Sequence, residues 1–137
     1  MLPPLLLRVL FLLTAPLLSA QTVVPVHVLR TAREVRELNA AEAAEGRAAE
    51  LEANVVFVES PGTVFVQDDS GSTFLRTKSQ LPALMPGDLV RATGTTFPGL
   101  YLPGVEIETL EVIGPGTLQT PPQVVYDDLM SARYHYA

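Results

Sequence analysis

The chain has 137 residues, 47% of them hydrophobic, with 12 Pro, 9 Gly, no Cys, no Trp and a formal charge of −6, which is room for one domain with an ordinary core. The absence of Cys excludes disulfides, thiolate catalysis and Cys-based zinc sites, and two histidines, His27 and His135, leave little for an imidazole metal centre or a Ser-His-Asp triad. An acidic balance argues against a generic polyanion binder, because phosphate neutralisation supplies most non-specific nucleic-acid affinity.

Residues 1–20 form an apolar run with Arg8 near its start, Pro16 towards its end and a small-residue finish at Ser19-Ala20. That layout predicts a secretory signal peptide cleaved before Gln21, although Arg8 is its only side-chain cation and Leu18 is large for its position. A membrane anchor is the alternative. The apolar stretch after Arg8 is about twelve residues, short of the roughly 20 that span a bilayer, and Pro3, Pro4 and Pro16 oppose a spanning helix. The expected mature chain, Gln21–Ala137, is exported and keeps 8 basic against 15 acidic side chains.

Residues 21–46 read as a lead with short helices. Thr31 and Glu34 fit a capping box that opens a helix running to Leu38, with Val35 and Leu38 on one face. Asn39 is placed to cap a second turn over Ala40–Glu45, and Gly46 suits a left-handed stop. From Arg47 the period changes to alternation: Leu51, Ala53, Val55 and Phe57 share one face, and Glu50, Glu52 and Asn54 the other. Ser60-Pro-Gly62 is a turn, Thr63–Gln67 a second strand, and Asp68-Asp-Ser-Gly71 closes a hairpin onto a third, Ser72–Lys78. Ser79–Asp88 is a Pro-interrupted loop. Leu89–Thr95 is a fourth strand with Val90 and Ala92 inward, and Val105–Ile113 a fifth whose phase change between Ile107 and Leu110 predicts a bulge. Residues 114–123 read as a Pro/Gly linker, and residues 124–137 as the start of a second module or a C-terminal helix.

Five short strands over residues 47–113 indicate a small closed antiparallel barrel, and an SH3-like barrel also fits that count. Two segments favour an OB-fold: Val64-Phe-Val-Gln-Asp-Asp-Ser-Gly71 followed by Phe74-Leu75, and Leu84-Met-Pro-Gly-Asp-Leu-Val-Arg-Ala-Thr-Gly94. They resemble strands two to four of OB-fold modules. With the lead at Thr31–Gly46, the order of parts is similar to the extracytoplasmic OB-type modules in the N-terminal sensor regions of some bacterial histidine kinases. The resemblance implies a mainly β, five-stranded OB-fold-like antiparallel barrel with a short N-terminal helical lead, on the extracytoplasmic, periplasmic side of a bacterial envelope. It also implies tandem modules and a membrane-anchored kinase as partners. Val124–Tyr134 is similar to the opening of such a second module, with Ala132 where Gly is usual.

If Val64, Val66 and Leu75 point into the barrel, alternation puts Phe65, Gln67, Phe74 and Arg76 outside, with Lys78 continuing that row and Arg91 outward on strand four. OB barrels bind ligands on this face, and aromatics beside cations suit single-stranded nucleic acid, sugars or a partner domain. The candidate ligand-binding residues are therefore Phe65, Phe74, Arg76, Lys78 and Arg91. The competing expectation is that the helical lead, or a neighbouring module, covers the two rings. Asp68, Asp69 and Asp88 sit where tight turns want Asp, so neither a metal site nor a catalytic pair is expected, and no cofactor. The function expected is a non-enzymatic extracytoplasmic binding or sensing module, a fragment of a sensor kinase. The alternative is a free-standing exported binder of oligosaccharide or single-stranded nucleic acid.

Overall fold

The structure, a computed structural model, describes residues 25–59 and 62–131. The signal-peptide segment, Ser60 and Pro61 of the first turn, and residues 132–137 lie outside the described residues. Two short helices, α1 (Ala32–Arg36) and α2 (Ala40–Ala44), precede five strands. These are β1 (Ala48–Glu59), β2 (Thr63–Asp68), β3 (Gly71–Arg76), β4 (Asp88–Phe97) and β5 (Gly104–Pro115), and a short helix α3 (Tyr126–Met130) follows. Among the described residues no helix is long and apolar enough to cross a membrane.

The strands close in a ring in the order β1-β2-β3-β5-β4, with β4 returning to β1. Four of the five seams are antiparallel. The fifth, between β3 and β5, is parallel and carries two register pairs, Leu75 with Val105 and Arg76 with Glu106. The five-stranded OB-fold-like antiparallel barrel expected from sequence is found, and its one parallel seam has a geometric reason: strand directions cannot alternate all the way round a ring with an odd number of members. One like-directed pair must occur, and it falls where the 77–87 loop and β4 separate two strands that run the same way.

The interior is filled from alternate positions of every strand, as a narrow barrel requires. Leu51, Val55, Val64, Val66, Leu75, Val90 and Val105 are buried, with Ala49, Ala53 and Ala92 where strands pack closely. Alternation in β1 breaks near its end. The register passes from Val55 opposite Val66 to Phe57 opposite Phe65, which leaves Val56 as an extra residue. Phe57, expected inward with Leu51 and Val55, is thereby turned to the outer face and is 56% exposed. The bulge expected in the fifth strand is present: β4 Thr93 and Gly94 pair with Thr109 and Ile107, so Glu108 is the extra residue. Gly94 has no room for a side chain there, since a Cβ would lie 2.1 Å from the Glu106 carbonyl oxygen.

The helical lead closes one end of the barrel. Thr31 and Glu34 form the expected capping box, and Asn39 forms a second one with Glu42, which the spacing also encodes but the sequence reading did not take up. The first helix ends at Arg36, not Leu38, and Gly46 takes the left-handed conformation with φ 66°. Val35 is fully buried against the barrel. Thr96, itself buried, accepts from the Arg47 amide and donates to the Ala43 carbonyl, fastening α2 to the end of β4.

Asp68 joins this lead to the sheet. One carboxylate oxygen accepts from the Ala32 amide at 2.7 Å, at the first turn of α1; the other accepts from the Ser70 hydroxyl and from the Ser70 and Gly71 amides. The Ser70 hydroxyl oxygen in turn accepts from the Arg33 amide. The Asp-Asp-Ser-Gly turn thus satisfies free amides of a helix that precedes it by more than thirty residues. Replacing Asp68 by Ala removes acceptors for three amides. We expect a loss of about 1–3 kcal/mol in urea unfolding, with hydrogen exchange accelerated at Ala32 and Gly71. An unchanged midpoint would show that α1 docks by its apolar face alone.

Candidate functional site

The candidate site is the outer face of β1, β2 and β3. Registers across these strands place Phe57, Phe65 and Phe74 in one transverse row, and Glu59, Thr63 and Arg76 in the next, continued on β5 by Glu106. Neighbouring rings are tilted to each other, with centroids 6.3 Å apart for Phe57 and Phe65 and 6.2 Å for Phe65 and Phe74. The row ends on Phe97, whose ring meets Phe74 edge to face at 5.4 Å. Aromatic pairs in such arrangements are favourable beyond the area they bury.

Residues 98–102, in the loop between β4 and β5, form the opposite wall. Together with the rings they bound an open groove of about 680 Å³. The loop lies on Phe74: a Cβ at either Gly99 or Gly104 would come within 2.8 Å of its ring. At the loop tip, Leu100 and Tyr101 are 87% and 89% exposed. An apolar pair held out by two Pro-Gly steps is a raised edge to the groove.

Phe65 and Phe74 are half-buried, and what lies over Phe74 is the 98–104 loop. The described residues lining the groove come from β1–β3, from Phe97 at the end of β4 and from this loop, and residues 32–44 are not among them. The lead is occupied instead at the barrel end, where Asp68 holds it.

The cations expected beside the rings are spoken for. The Arg76 guanidinium lies 3.4 Å from the Phe97 ring centroid and donates to Glu106 at 2.8 Å. Lys78 is 3.5 Å from the other oxygen of the same carboxylate. Arg91 lies elsewhere. It sits on β4 between Glu52 of β1 and Glu111 of β5, at 2.6 and 3.1 Å, and is not part of the groove, to which β4 gives only its last residue, Phe97. Of the five sequence candidates, Phe65, Phe74 and Arg76 line the groove, Lys78 flanks it and Arg91 is separate. Phe97, Glu59 and Tyr101 are additions to the lining, and Phe57 extends the ring row beside it through Phe65. The bulge that exposes Phe57 had no signature in an unbroken apolar run from Val55 to Val58.

Asp68 and Asp88 serve turns, as their neighbours in sequence implied. Asp88 accepts from the Met85 amide at 2.8 Å, and Asp68 from the amides described above. His27 is exposed and 3.9 Å from Glu34.

No protein-family model matches the chain, and no curated protein matches it in sequence. Solved structures do. The structure of the hypothetical protein ygiW from E. coli superposes with a TM-score of 0.50 at 15% identity, covering 65% of this chain and 94% of that one. The telomere capping protein Ten1 from S. pombe superposes with a TM-score of 0.48 at 12% identity, covering 77% and 88%. At such identities the likeness is one of fold. The chain is a mainly β, OB-fold-like protein, with five strands closing in a ring and short helices before them. Neither of those names refers to a histidine kinase, so the sensor-region resemblance rests on its motifs.

The Arg76–Glu106 pair gives a direct check on this geometry. The Arg76 hydrogen bond, with help from Lys78, holds the Glu106 carboxyl below the usual glutamate range despite some desolvation. Because the folded-state value is depressed, the pair's contribution is present above the ordinary glutamate range and is lost as pH falls through the folded value. We expect Arg76→Leu to move the Glu106 titration upward by carboxyl-carbon NMR, and to leave the Phe97 ring without its guanidinium partner. An unmoved midpoint would place the guanidinium elsewhere in solution.

Proposed function

We propose that the protein is an exported, non-enzymatic binding module that takes its ligand on the β1–β3 face, by contact with ring faces and not by phosphate neutralisation. The observation that carries this reading is the division of labour at the groove. Phe57 and the Leu100–Tyr101 edge are presented to solvent beside the half-buried Phe65 and Phe74, while Arg76 and Lys78 share one glutamate and Arg91 is held by two. A polyanion would have to break those pairs, against a protein whose net charge already repels it. Of the two ligand classes open from sequence, single-stranded nucleic acid is the one disfavoured. Ligands that stack without phosphates suit the face, and stacking on such rings is worth about 1–3 kcal/mol per contact in other OB-folds.

Phe74 is a poor residue with which to test this, since it packs against Phe97 and under the loop. Phe57→Ala and Tyr101→Ala remove exposed rings, and each is expected to shift unfolding stability by no more than about 0.5 kcal/mol. A panel of neutral oligosaccharides, short peptides and an oligothymidylate, followed by NMR, should perturb Phe57, Phe65 and Tyr101 with the non-phosphate ligands and lose those responses in the double variant. Tight oligothymidylate binding with a steep salt dependence, or a response confined to another face, would overturn it.

The setting we propose is the sensor region of a larger receptor of the histidine kinase type. Support beyond the sequence motifs comes from α3, where Tyr126 and Met130, and Val125 just before them, are exposed. Exposed apolar side chains of this kind are what the opening of a second packed unit would present. Reading the gene past the Ala137 codon tests this. A frame that continues into further barrels and a span of about 20 apolar residues supports it, and an immediate stop sinks it.

A further inference from the structure

We infer that the β1 end of the groove selects a guanidinium group, supplied by an arginine side chain of a basic peptide. The inference rests on the groove being the binding face. Its warrant is a comparison of the two ends of that groove. At the β3–β5 end a ring (Phe97), a carboxylate (Glu106) and a guanidinium (Arg76) form a closed set, the guanidinium flat against the ring at 3.4 Å and paired at 2.8 Å. At the β1 end the same two acceptors recur. Phe57 and Glu59 are two residues apart on one strand after the bulge, both outward and both exposed, which puts ring and carboxylate about 7 Å apart along the strand. Glu59 lines the groove and has no ion-pair partner among the described residues.

Among the described residues no cation is paired with it. Arg76 lies two strands away, about 10 Å at ordinary strand spacing, which is already a Debye length at about 0.1 M salt. Arg76 and Lys78 are moreover shared on Glu106. The β1 end therefore keeps one negative charge beside an exposed ring face. A cation desolvated between a ring and a carboxylate is held by both terms, and guanidinium is better suited than ammonium because it lies flat and pairs in a fork. Thr63, opposite Glu59, offers a hydroxyl to the same group. The net charge of −6 steers a basic segment towards the protein as a whole. Leu100 and Tyr101 across the groove give the peptide an apolar edge to run along.

The test uses blocked pentapeptides with arginine, lysine or citrulline at the centre, citrulline being the uncharged isostere of arginine, and a glucosamine oligomer as a cation on a sugar. Binding is followed by NMR at Phe57, Tyr101 and the Glu59 side chain. The arginine peptide should bind at least about fivefold more tightly than the citrulline peptide, with lysine between them. Glu59→Gln, an exposed isosteric change, should erase the arginine preference over citrulline. Equal binding of arginine and citrulline peptides, or an arginine preference that survives Glu59→Gln, would overturn the inference. So would a glucosamine oligomer that outcompetes the arginine peptide. In each of these cases responses at Phe57 and Tyr101 would leave the groove standing as the binding face. Silence at both rings with every probe would count against the groove itself.

Discussion

A barrel of five strands has an interior only one side chain deep, and every strand must give alternate residues to fill it. All else in this molecule is arranged around that constraint. Valine and leucine supply the filling, alanines on β1 and β4 allow close packing, and Gly94 lets the β5 bulge press against β4. At Val56 β1 carries one extra residue, after which Val58 takes over the inward position. One extra residue converts a core phenylalanine position into a surface one and completes the row with Phe65 and Phe74.

The groove therefore lies on the outside of the filled barrel. The ring row is the outward face of strands whose inward residues at the same level, Val64, Val66 and Leu75, are fully buried. The polar row beside it follows from the same registers, two residues further along each strand. The far wall is a loop whose glycines admit the Phe74 ring, so backbone and ring are in contact with no side chain between them. Charge is distributed to match: carboxylates from adjacent strands silence the guanidiniums at the sheet's centre, while the β1 margin keeps its carboxylate.

Much of this was legible in the sequence. Alternation from Leu51 to Val55, through Val64 and Val66, and across Val90 and Ala92 marked the strands and their inward faces, and the hydroxyl and amide caps at Thr31 and Asn39 marked both helices. The outward placement of Phe65, Phe74 and Arg76 followed from the same period. What could not be read were features that depend on two distant segments meeting. Val55-Val-Phe-Val58 is apolar throughout, so no polar residue records the change of phase. The Arg76–Glu106 pair needs the parallel seam, and Arg91 is separated from the other cations only by the order of strands around the ring. Asp68 looked like a turn residue and is one; that it also holds α1 depends on where the lead folds back.

The parallel seam has a consequence for the order in which the molecule assembles. β4 and β5 are joined along ten register pairs and β1 to β4 along seven, but β3 meets β5 through only two. A ring closed by its weakest link forms there last and parts there first. Phe74 and Gly104 face each other beside that link, and the groove has one wall on β3 and the other on the loop that leads into β5. Any molecule seated in the groove touches both sides of the seam, so binding and the closing of the ring draw on the same free energy. A ligand bound there would act as a clasp, raising the cost of opening by an amount set by its concentration and affinity.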